Sequence, residues 1–352
     1  MKKICKIILL ILGLIILLLF TFFLILIFTE YKPKDVEDVK VYSNATKNLN
    51  IGDKISILTY NIGYLSLDKT QDFFLDGGKN VMPKTDENVK NNLNFVKNIL
   101  KEQDNDIVLL QEVDYNSKRS YYMNQFEKLK DDFNGTASYA FYHKCLCIPY
   151  PIFDMVGKVE SGMAIFSKFD GEVTRIALPN AYTFPKSVVM FKRCLVVKRI
   201  NIQNTDKQLV VINLHLEAYD DGNTRIKQLE VLKNLIIDEY NKGNYVIAGG
   251  DFNQTFPVID NEKYKILDTK NFVAPIISQD YLPDNFYYAV DDTYPTARLL
   301  NKPYSGNYED TQLYVLDGYI LSDNIELVDV NVIDTNFEST DHQPVNLEII
   351  LK

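Results

Sequence analysis

Seven short runs of apolar, largely β-branched residues recur along the chain after residue 50, and most of them end in a polar residue. Runs of this kind are typical of strands that are buried on both faces. The predicted strands are Ile55–Tyr60, Ile107–Leu110, Met163–Phe166, Leu209–Leu214, Tyr245–Ala248, Tyr319–Leu321 and Val345–Ile350. Helical periodicity appears between them over Asn88–Glu102 and Thr224–Asn241, and more weakly over Tyr122–Asp131. This mixture predicts an α/β protein in which helices cover the sheets.

The N-terminal segment has a different character. Ile7–Phe28 is a run of 22 residues without a charge, which as a helix is long enough to cross a hydrocarbon layer of about 30 Å. Three lysines precede the run and acidic residues follow it, so the positive-inside rule places the N-terminus in the cytoplasm and the rest of the chain outside. A cleaved signal peptide is the alternative, but its apolar core usually has about 7 to 15 residues, and no small-x-small cleavage site follows Phe28.

These features predict three parts of the chain. Residues 1–29 form a single-pass anchor in the cell membrane, and the bilayer is therefore an expected partner. Residues 30–50 are polar and turn-rich, which is typical of a short tether. Residues 51–352 contain no Pro/Gly/Ser-rich break and are expected to form one extracytoplasmic domain.

Charge and cysteine content limit the possible partners and cross-links. Removing the three N-terminal lysines from a chain of net charge −9 leaves −12, whereas proteins that clamp duplex DNA usually show a basic face. The sequence thus gives no strong signal for duplex DNA. Cys145 and Cys147 are too close in sequence to bridge each other well, so any disulfide would join one of them to Cys194. Buried free thiols are the simpler expectation.

Five polar segments stand at the ends of the predicted strands, and each carries a side chain that can bind a cation or move a proton. They are Tyr60-Asn61-Ile62-Gly63, Leu110-Gln111-Glu112-Val113-Asp114, Asn213-Leu214-His215-Leu216, Gly249-Gly250-Asp251-Phe252-Asn253 and Ser339-Thr340-Asp341-His342. Each has an ordinary explanation alone: an asparagine closes a turn, a histidine between leucines fills a core, and Asx turns follow glycines. Glu112 is harder to explain in this way, because an unpaired buried carboxylate is costly. The glycines of the fourth segment would let the backbone come close to a ligand.

In this order, the segments resemble the motifs of the endonuclease/exonuclease/phosphatase superfamily, and the resemblance covers nearly all of the chain after residue 50. A sixth match is Leu316-Asp317-Gly318, which is similar to the family's strand whose aspartate orients the final histidine. The resemblance implies a four-layer α/β/β/α sandwich of the DNase I-like type, with an active site at one edge of the two packed sheets.

The resemblance also implies roles for the cation ligands and the base. Glu112 and Asn61 would hold a magnesium ion, and Asp341 would serve a second metal or support the first. His342 would take a proton from the attacking water, with Asp317 fixing its tautomer. Magnesium prefers hard oxygen ligands and keeps several waters; Mn²⁺ or another divalent cation is an alternative.

The remaining residues would act on the phosphate. Asp251 and Asn253 resemble the pair that orients the nucleophile and the phosphate, and His215 resembles the histidine that binds phosphate oxygens or serves the leaving group. Phosphodiesters repel attacking oxygens, so their hydrolysis needs a cation, positioned donors and a route for protons.

Three functions follow from this set. The first is a membrane-anchored, metal-dependent phosphoesterase; Asn213–Ala218 before a helix resembles the sphingomyelinase-type branch, so a phospholipid headgroup or another extracytoplasmic phosphodiester is the expected substrate. The second is a membrane-tethered nuclease. The third is a catalytically silent binding domain, which would be expected to lack Glu112, Asp251 or His342, and all three are present.

Other features have simpler explanations. Lys118-Arg119 and Arg225 could meet a phosphate, but solvated surface is the simpler interpretation. The aromatic segment Tyr139–Phe153 could border a lipid-facing or base-stacking surface, although core packing explains it more simply. His143 lies in no such motif and is expected to be structural.

Overall fold

The structure, a computed structural model, describes residues 2–42, 44–220 and 222–352. An N-terminal helix precedes a sandwich of two seven-stranded sheets. The helices are α1 (Lys2–Phe28), α2 (Asp86–Gln103), α3 (Gln125–Lys130) and α4 (Asn223–Asn241). The strands are β1 (Val36–Val39), β2 (Val41–Tyr42), β3 (Lys54–Asn61), β4 (Ile107–Asp114), β5 (Thr136–Ile148), β6 (Gly157–Ser167), β7 (Glu172–Ala177), β8 (Cys194–Asn201), β9 (Gln208–His215), β10 (Tyr245–Asp251), β11 (Phe286–Ala289), β12 (Ala297–Arg298), β13 (Leu313–Tyr314), β14 (Asp317–Ser322), β15 (Ile325–Val332) and β16 (Val345–Leu351).

The two large sheets pack face to face and are covered by helices on their outer sides. The first has the strand order β1-β7-β8-β9-β10-β14-β11, and the second β15-β16-β3-β4-β6-β5-β2. The largest core cluster lies between them and contains inward-facing residues such as Ile57, Leu109 and Ile247. Helix α4 covers the outer face of the first sheet, and α2 and α3 cover that of the second. The predicted four-layer α/β/β/α sandwich is therefore confirmed.

The predicted elements are all present, most of them longer than predicted. Strands covered on both faces read as continuous apolar runs, which is why the pattern found them. The sequence missed strands that carry charges, above all β5, β8 and β15; in β8, for example, Lys198 is buried and donates to Thr136 Oγ1 at 3.2 Å. Ile226, which the helical periodicity of Thr224–Asn241 would place with Leu229 and Leu232 on the apolar face of α4, is exposed.

The predicted tether is in part a component of the fold. Strand β1 pairs with β7 and β2 pairs with β5, so residues 36–42 add an edge strand to each sheet. Val39 and Val41 pack against the central core, and Leu49 is fully buried. The tether prediction was wrong for these residues because short edge strands with one buried face leave only a weak alternating pattern. Ser43, within the same segment, lies outside the described residues.

Helix α1 has the length and apolar composition of a membrane span, a description that a signal sequence also fits. Residues 2–21 are exposed, whereas Leu26 near its C-terminal end is buried against the domain. All four cysteines are free thiols, and Cys145 and Cys194 are buried. For these two residues the expectation of buried free thiols is confirmed.

Candidate active site

Three neighbouring strands of the first sheet bring three of the predicted site residues side by side. Asp251 ends β10 and lies opposite His215 at the end of the parallel strand β9. It also lies opposite Asp317, the first residue of the antiparallel strand β14. Residues opposite one another project to the same face of a sheet, and His215 Nε2 accordingly lies 3.4 Å from Asp251 Oδ2. This row of three faces the second sheet.

His342 joins the row from the segment before β16. Its Nδ1 lies 2.8 Å from Asp317 Oδ2, and its Nε2 lies 3.7 Å from Asp251 Oδ2. The Asp317 backbone N–H donates to Thr296 Oγ1 at 3.0 Å, which fixes the strand position behind the histidine. Burial opposes a charged imidazole, but the carboxylates of Asp317 and Asp251 hold the pKa of His342 well above its ordinary value. The Asp317 contact selects the tautomer with the proton on Nδ1, so Nε2 faces the row.

The second sheet supplies Asn61 and Glu112 from the ends of its two parallel strands. Asn61 Nδ2 donates to Asp251 Oδ2 at 3.0 Å, and its Oδ1 accepts the Gly63 N–H at 3.0 Å. Asn61 therefore joins the sheets at the site. The Glu112 carboxylate approaches the same ring nitrogen of His215 as Asp251 does, with Oε1 3.8 Å from Nε2.

Glu112 reaches the site because β4 is bulged. Its pairing with β6 shifts between Leu110 and Val113, and Glu112 has φ 56°. Strict alternation along β4 would turn residue 112 away from Gln111 and toward the outer face; a bulge re-aims such a side chain. The left-handed backbone of Glu112 costs roughly 1–2 kcal/mol, and strain of this kind concentrates at functional sites.

Four carboxylates lie together at this edge: those of Asp251, Asp317 and Asp341 are buried, and that of Glu112 is 14% exposed. Among the described residues, no hydrogen-bond donor reaches the Glu112 carboxylate, and burial together with the charge on Asp341 raises its pKa to about 8. Burial also raises the pKa of Asp317 to about 6, against the opposing effect of His342. A site with excess negative charge and hard oxygen donors fits a divalent cation.

The closest group of possible metal ligands among the described residues is Asp251, Asp317 and His342, whose ligand atoms lie within 4.8 Å of one another. The sequence interpretation assigned these three to proton transfer and phosphate orientation, and Glu112 and Asn61 to the metal. Asn61 of the second set donates a hydrogen bond to Asp251 of the first, so the two sets of residues form a single site.

Asp341 and Asn253 occupy supporting positions in the structure. Asp341 Oδ1 accepts from Thr340 Oγ1 at 3.1 Å, and burial raises the pKa of Asp341. The Asn253 backbone N–H donates to Asp251 Oδ1 at 2.8 Å, while Asn253 Nδ2 donates to Leu216 O at 2.9 Å. Asn253 thus holds Asp251 in place and has its amide N–H engaged with backbone, which leaves its Oδ1 for other contacts.

The paired glycines before Asp251 serve strand packing. A Cβ on Gly250, which has φ +148°, would lie 2.0 Å from Leu214 O in the neighbouring strand. A Cβ on Gly249 would lie 2.4 Å from the Tyr319 ring. Both positions need glycine because β9, β10 and β14 approach so closely.

The sequence interpretation missed Arg193, which stands directly before β8. Its side chain is 5% exposed, and its guanidinium lies 4.5 Å from the Phe191 ring centroid. The nearest carboxylate, on Glu217, is 3.7 Å from Nε, too far for a hydrogen bond. Nε and Nη1 have no hydrogen-bond partner in the described part of the chain. A charged residue opening a fully buried strand was the signal that could have identified it.

The charge of Arg193 affects the pKa values of two predicted site residues, Glu112 and His215. Its charge opposes the raised pKa of Glu112 and, after burial, lowers the pKa of His215 well below the ordinary value. His215 is therefore neutral here. A buried guanidinium with free N–H groups beside a neutral histidine can receive phosphate oxygens.

The two other arginines considered from the sequence are paired with carboxylates, although the charge of Arg119 also opposes the raised pKa of Glu112. Arg119 was expected at the surface but is buried, where it forms two hydrogen bonds with Asp114 at 2.9 and 3.1 Å. Arg225 pairs with Asp220 at 2.7 Å. His143 lies 2.9 Å from Val189 O, and burial lowers its pKa to about 3, so its structural interpretation is confirmed.

Comparisons with known proteins agree with this architecture. A profile described as Endonuclease/Exonuclease/phosphatase family matches residues 58–301. No curated protein matches the chain. Among solved structures, the chain is similar to an endonuclease/exonuclease/phosphatase from Beutenbergia cavernae, with 13% identity and a TM-score of 0.53 over 85% of this chain and 72% of that one.

Two further structures show the same fold. An endonuclease/exonuclease/phosphatase from Bacteroides vulgatus has 16% identity and a TM-score of 0.52, over 85% of this chain and 100% of that one. TDP2 from Caenorhabditis elegans has 17% identity and a TM-score of 0.50, over 85% of this chain and 74% of that one.

Proposed function

Because this chain belongs to the endonuclease/exonuclease/phosphatase family, we propose that it is a membrane-anchored, divalent-metal-dependent phosphoesterase that hydrolyses phosphodiesters outside the cytoplasm. Members of this family are hydrolases of phosphoesters and use divalent metals. The observation that best supports the proposal is the buried row of His215, Asp251 and Asp317 with His342 against it, facing Glu112 from the other sheet. The extracytoplasmic location rests on the three lysines before α1 and the acidic residues after it.

His342 is the base in this proposal. Asp317 holds the Nδ1 proton, so in the neutral imidazole the lone pair of Nε2 is turned toward the space beside Asp251, where a water molecule would be deprotonated. Because the carboxylates raise the pKa of His342, the population of this neutral form increases as the pH rises. Asp317 then stabilises the imidazolium that forms. Positioned proton transfer of this type contributes about 10²- to 10⁴-fold to a rate.

His215 and Arg193 act on the phosphate. Burial and the Arg193 charge keep His215 neutral, so its Nε2–H can donate to a phosphate oxygen or to the leaving oxygen. The unpaired N–H groups of Arg193 bind a second phosphate oxygen. Asn253 contributes indirectly, since its backbone N–H fixes the Asp251 carboxylate.

Glu112, Asn61 and Asp341 would hold the cation, with Asp251 shared between the cation and the base. Mg²⁺ suits this oxygen-rich set best, and Mn²⁺ or another divalent cation can substitute. When bound, the cation neutralises charge on the phosphoryl oxygens as water attacks.

Hydrolysis by the full-length chain in detergent micelles tests the proposal. The substrates are sphingomyelin, a glycerophospholipid, plasmid DNA, single-stranded DNA and a soluble chromogenic phosphodiester, each with Mg²⁺ and with EDTA. We expect metal-dependent turnover of the chromogenic diester and of at least one lipid, reduced by roughly 10² or more in His342→Ala. Turnover restricted to DNA would favour the tethered nuclease, and no metal-dependent turnover of any substrate would favour the silent binding domain.

A further inference from the structure

A group of exposed apolar side chains lies at Phe184 and near the β5–β6 connection, close in sequence to residues that pack against the C-terminal end of α1. We call it the apolar rim; its members are Leu146, Tyr150, Ile152, Phe153, Met155 and Phe184. Phe153 is fully exposed and Ile152 is 69% exposed. Five of the six lie in or next to the loop that joins β5 to β6. Concentrated apolar exposure of this kind marks a surface that contacts something apolar.

Helix α1 packs directly against the base of the rim. Leu26 is buried with Cys145 and Val188, and Phe22 packs against the same cluster. The Phe23 ring lies 6.1 Å from the ring of the rim residue Phe184.

The chain remains attached to the domain after the helix ends. Glu30 forms a 2.9 Å ion pair with Lys192, and Arg175 Nη1 donates to the carbonyl of Lys34 at 3.3 Å. Tyr31 Oη donates to the Phe141 carbonyl at 3.3 Å. These contacts leave no flexible linker between α1 and the domain, so the direction of the helix sets the orientation of the domain.

The depth of the rim follows from the helix geometry. If Ile7–Phe28 crosses the bilayer, the stretch from Phe22 to Phe28 occupies the last ~9 Å of the hydrocarbon layer, at 1.5 Å per residue. Domain residues that contact Phe22, Phe23 and Leu26 must lie at the same depth, at the boundary between acyl chains and headgroups.

We infer that the apolar rim inserts into the leaflet into which α1 emerges, and that the site takes its phosphodiester from a lipid of that same membrane. This inference rests on the proposed function, since it requires α1 to be an anchor. Interfacial insertion typically buries an apolar face by about 5–10 Å. The exposed Lys186, two residues from Phe184, is placed to meet anionic headgroups.

Strand β5 connects the rim to the site. The Tyr142 ring lies 6.0 Å from the His215 ring, and three residues further along the strand Cys145 packs against Leu26. At about 3.3 Å per residue, these two points are ~10 Å apart along the strand. The headgroup layer is of comparable thickness, about 5–8 Å on each side of a bilayer. If β5 runs along the bilayer normal, a headgroup phosphate therefore lies close to the level of the site.

Tryptophan fluorescence tests the insertion without reference to activity. The chain has no tryptophan, so Ile152→Trp, Phe20→Trp and Ile51→Trp each carry a single reporter. Phe20 lies within α1, and Ile51 is an exposed isoleucine before β3, at the end of the sheet opposite Asn61. Each full-length variant is reconstituted into phosphatidylcholine vesicles with or without bromine on the acyl chains.

We expect bromine to quench Ile152→Trp by at least about half as much as Phe20→Trp, as suits a residue at the interface, and to leave Ile51→Trp nearly unchanged. Quenching of Phe20→Trp with none for Ile152→Trp would overturn the inference while leaving the anchor intact. Absence of quenching for Phe20→Trp would instead overturn the anchor itself.

A second experiment measures turnover. In Ile152→Asp/Phe153→Asp, carboxylates replace two rim side chains and oppose insertion, so hydrolysis of vesicle lipid should fall roughly tenfold. Hydrolysis of the soluble chromogenic diester should stay unchanged, and Ile51→Asp should affect neither. Wild-type turnover of vesicle lipid by the double variant, or an equal loss on both substrates, would count against the inference.

Discussion

Replacing Glu112 by glutamine tests whether the buried carboxylates of the site are adapted to a cation. In the metal-free protein, burial and the charge of Asp341 raise the pKa of Glu112 from 4.5 to about 8. Between these two values the folded state holds a proton that the unfolded state has released. The contribution of Glu112 to the stability of the metal-free protein therefore falls as the pH rises from about 4.5 to 8.

The size of this effect follows from the shift. At 1.36 kcal/mol per pKa unit, the raised pKa of Glu112 corresponds to about 5 kcal/mol, of which about 4 kcal/mol is lost by pH 8, where the carboxyl is half ionised. At roughly 2 °C per kcal/mol for a domain of this size, the midpoint of thermal unfolding falls by roughly 8 °C. Glutamine carries no proton to lose, so Glu112→Gln should escape this part of the loss.

The assay is thermal unfolding in EDTA at pH 5 and at pH 8, repeated at pH 8 with Mg²⁺. We expect wild type to lose stability between the two pH values and to regain it with Mg²⁺, because a bound cation favours the ionised carboxylate. Glu112→Gln should lose less with pH and gain little from Mg²⁺. Glu230→Gln, an exposed position on α4, is the matched control. A wild-type curve that does not depend on pH, or equal stabilisation of Glu112→Gln by Mg²⁺, would refute the reasoning.

Two further substitutions separate phosphate binding from packing. Arg193→Met removes the unpaired buried donors and should lower kcat/KM on the chromogenic diester by roughly 10². The control, Arg199→Met, breaks the ion pair with Glu239 far from the site and should leave kcat/KM nearly unchanged. Similar kinetics in the two variants would contradict the role given to Arg193. Gly250→Ala places a Cβ 2.0 Å from a neighbouring carbonyl and should lower the free energy of unfolding by more than ~3 kcal/mol. In the control, Gly306→Ala, the added Cβ meets open space and only the backbone is strained, so the loss should be roughly 1–2 kcal/mol. Equal losses of unfolding free energy in a urea titration would argue against close strand packing.

The sequence predicted the strands and the residues at their ends because both properties are local. An apolar run marks a doubly covered strand, and a polar residue at or shortly after the end of the run, such as His215 or Asp251, marks the end of the strand. The four layers followed from this pattern together with the family resemblance.

What remained unpredicted depends on contacts between distant parts of the chain. Arg193 lies beside His215 only because β8 pairs with β9. The direction of Glu112 depends on a bulge that forms against β6, and alternation alone would have turned it outward. The edge strands at residues 36–42 depend on partners more than 90 residues away in the chain, at β5 and β7.

The side-by-side placement of His215, Asp251 and Asp317 makes the chemistry depend on how three strands are aligned. Because side chains alternate along a strand, sliding β9 or β14 by a single residue would turn its catalytic group under the outer helices. A strand is paired either in its native register or in one shifted by whole residues, and a shift of one residue removes a side chain from the site. Activity should therefore appear only when all three strands have reached their native register during folding. The surface loops are not limited by strand register, so their sequences can diverge and alter substrate choice without disturbing the row of three residues.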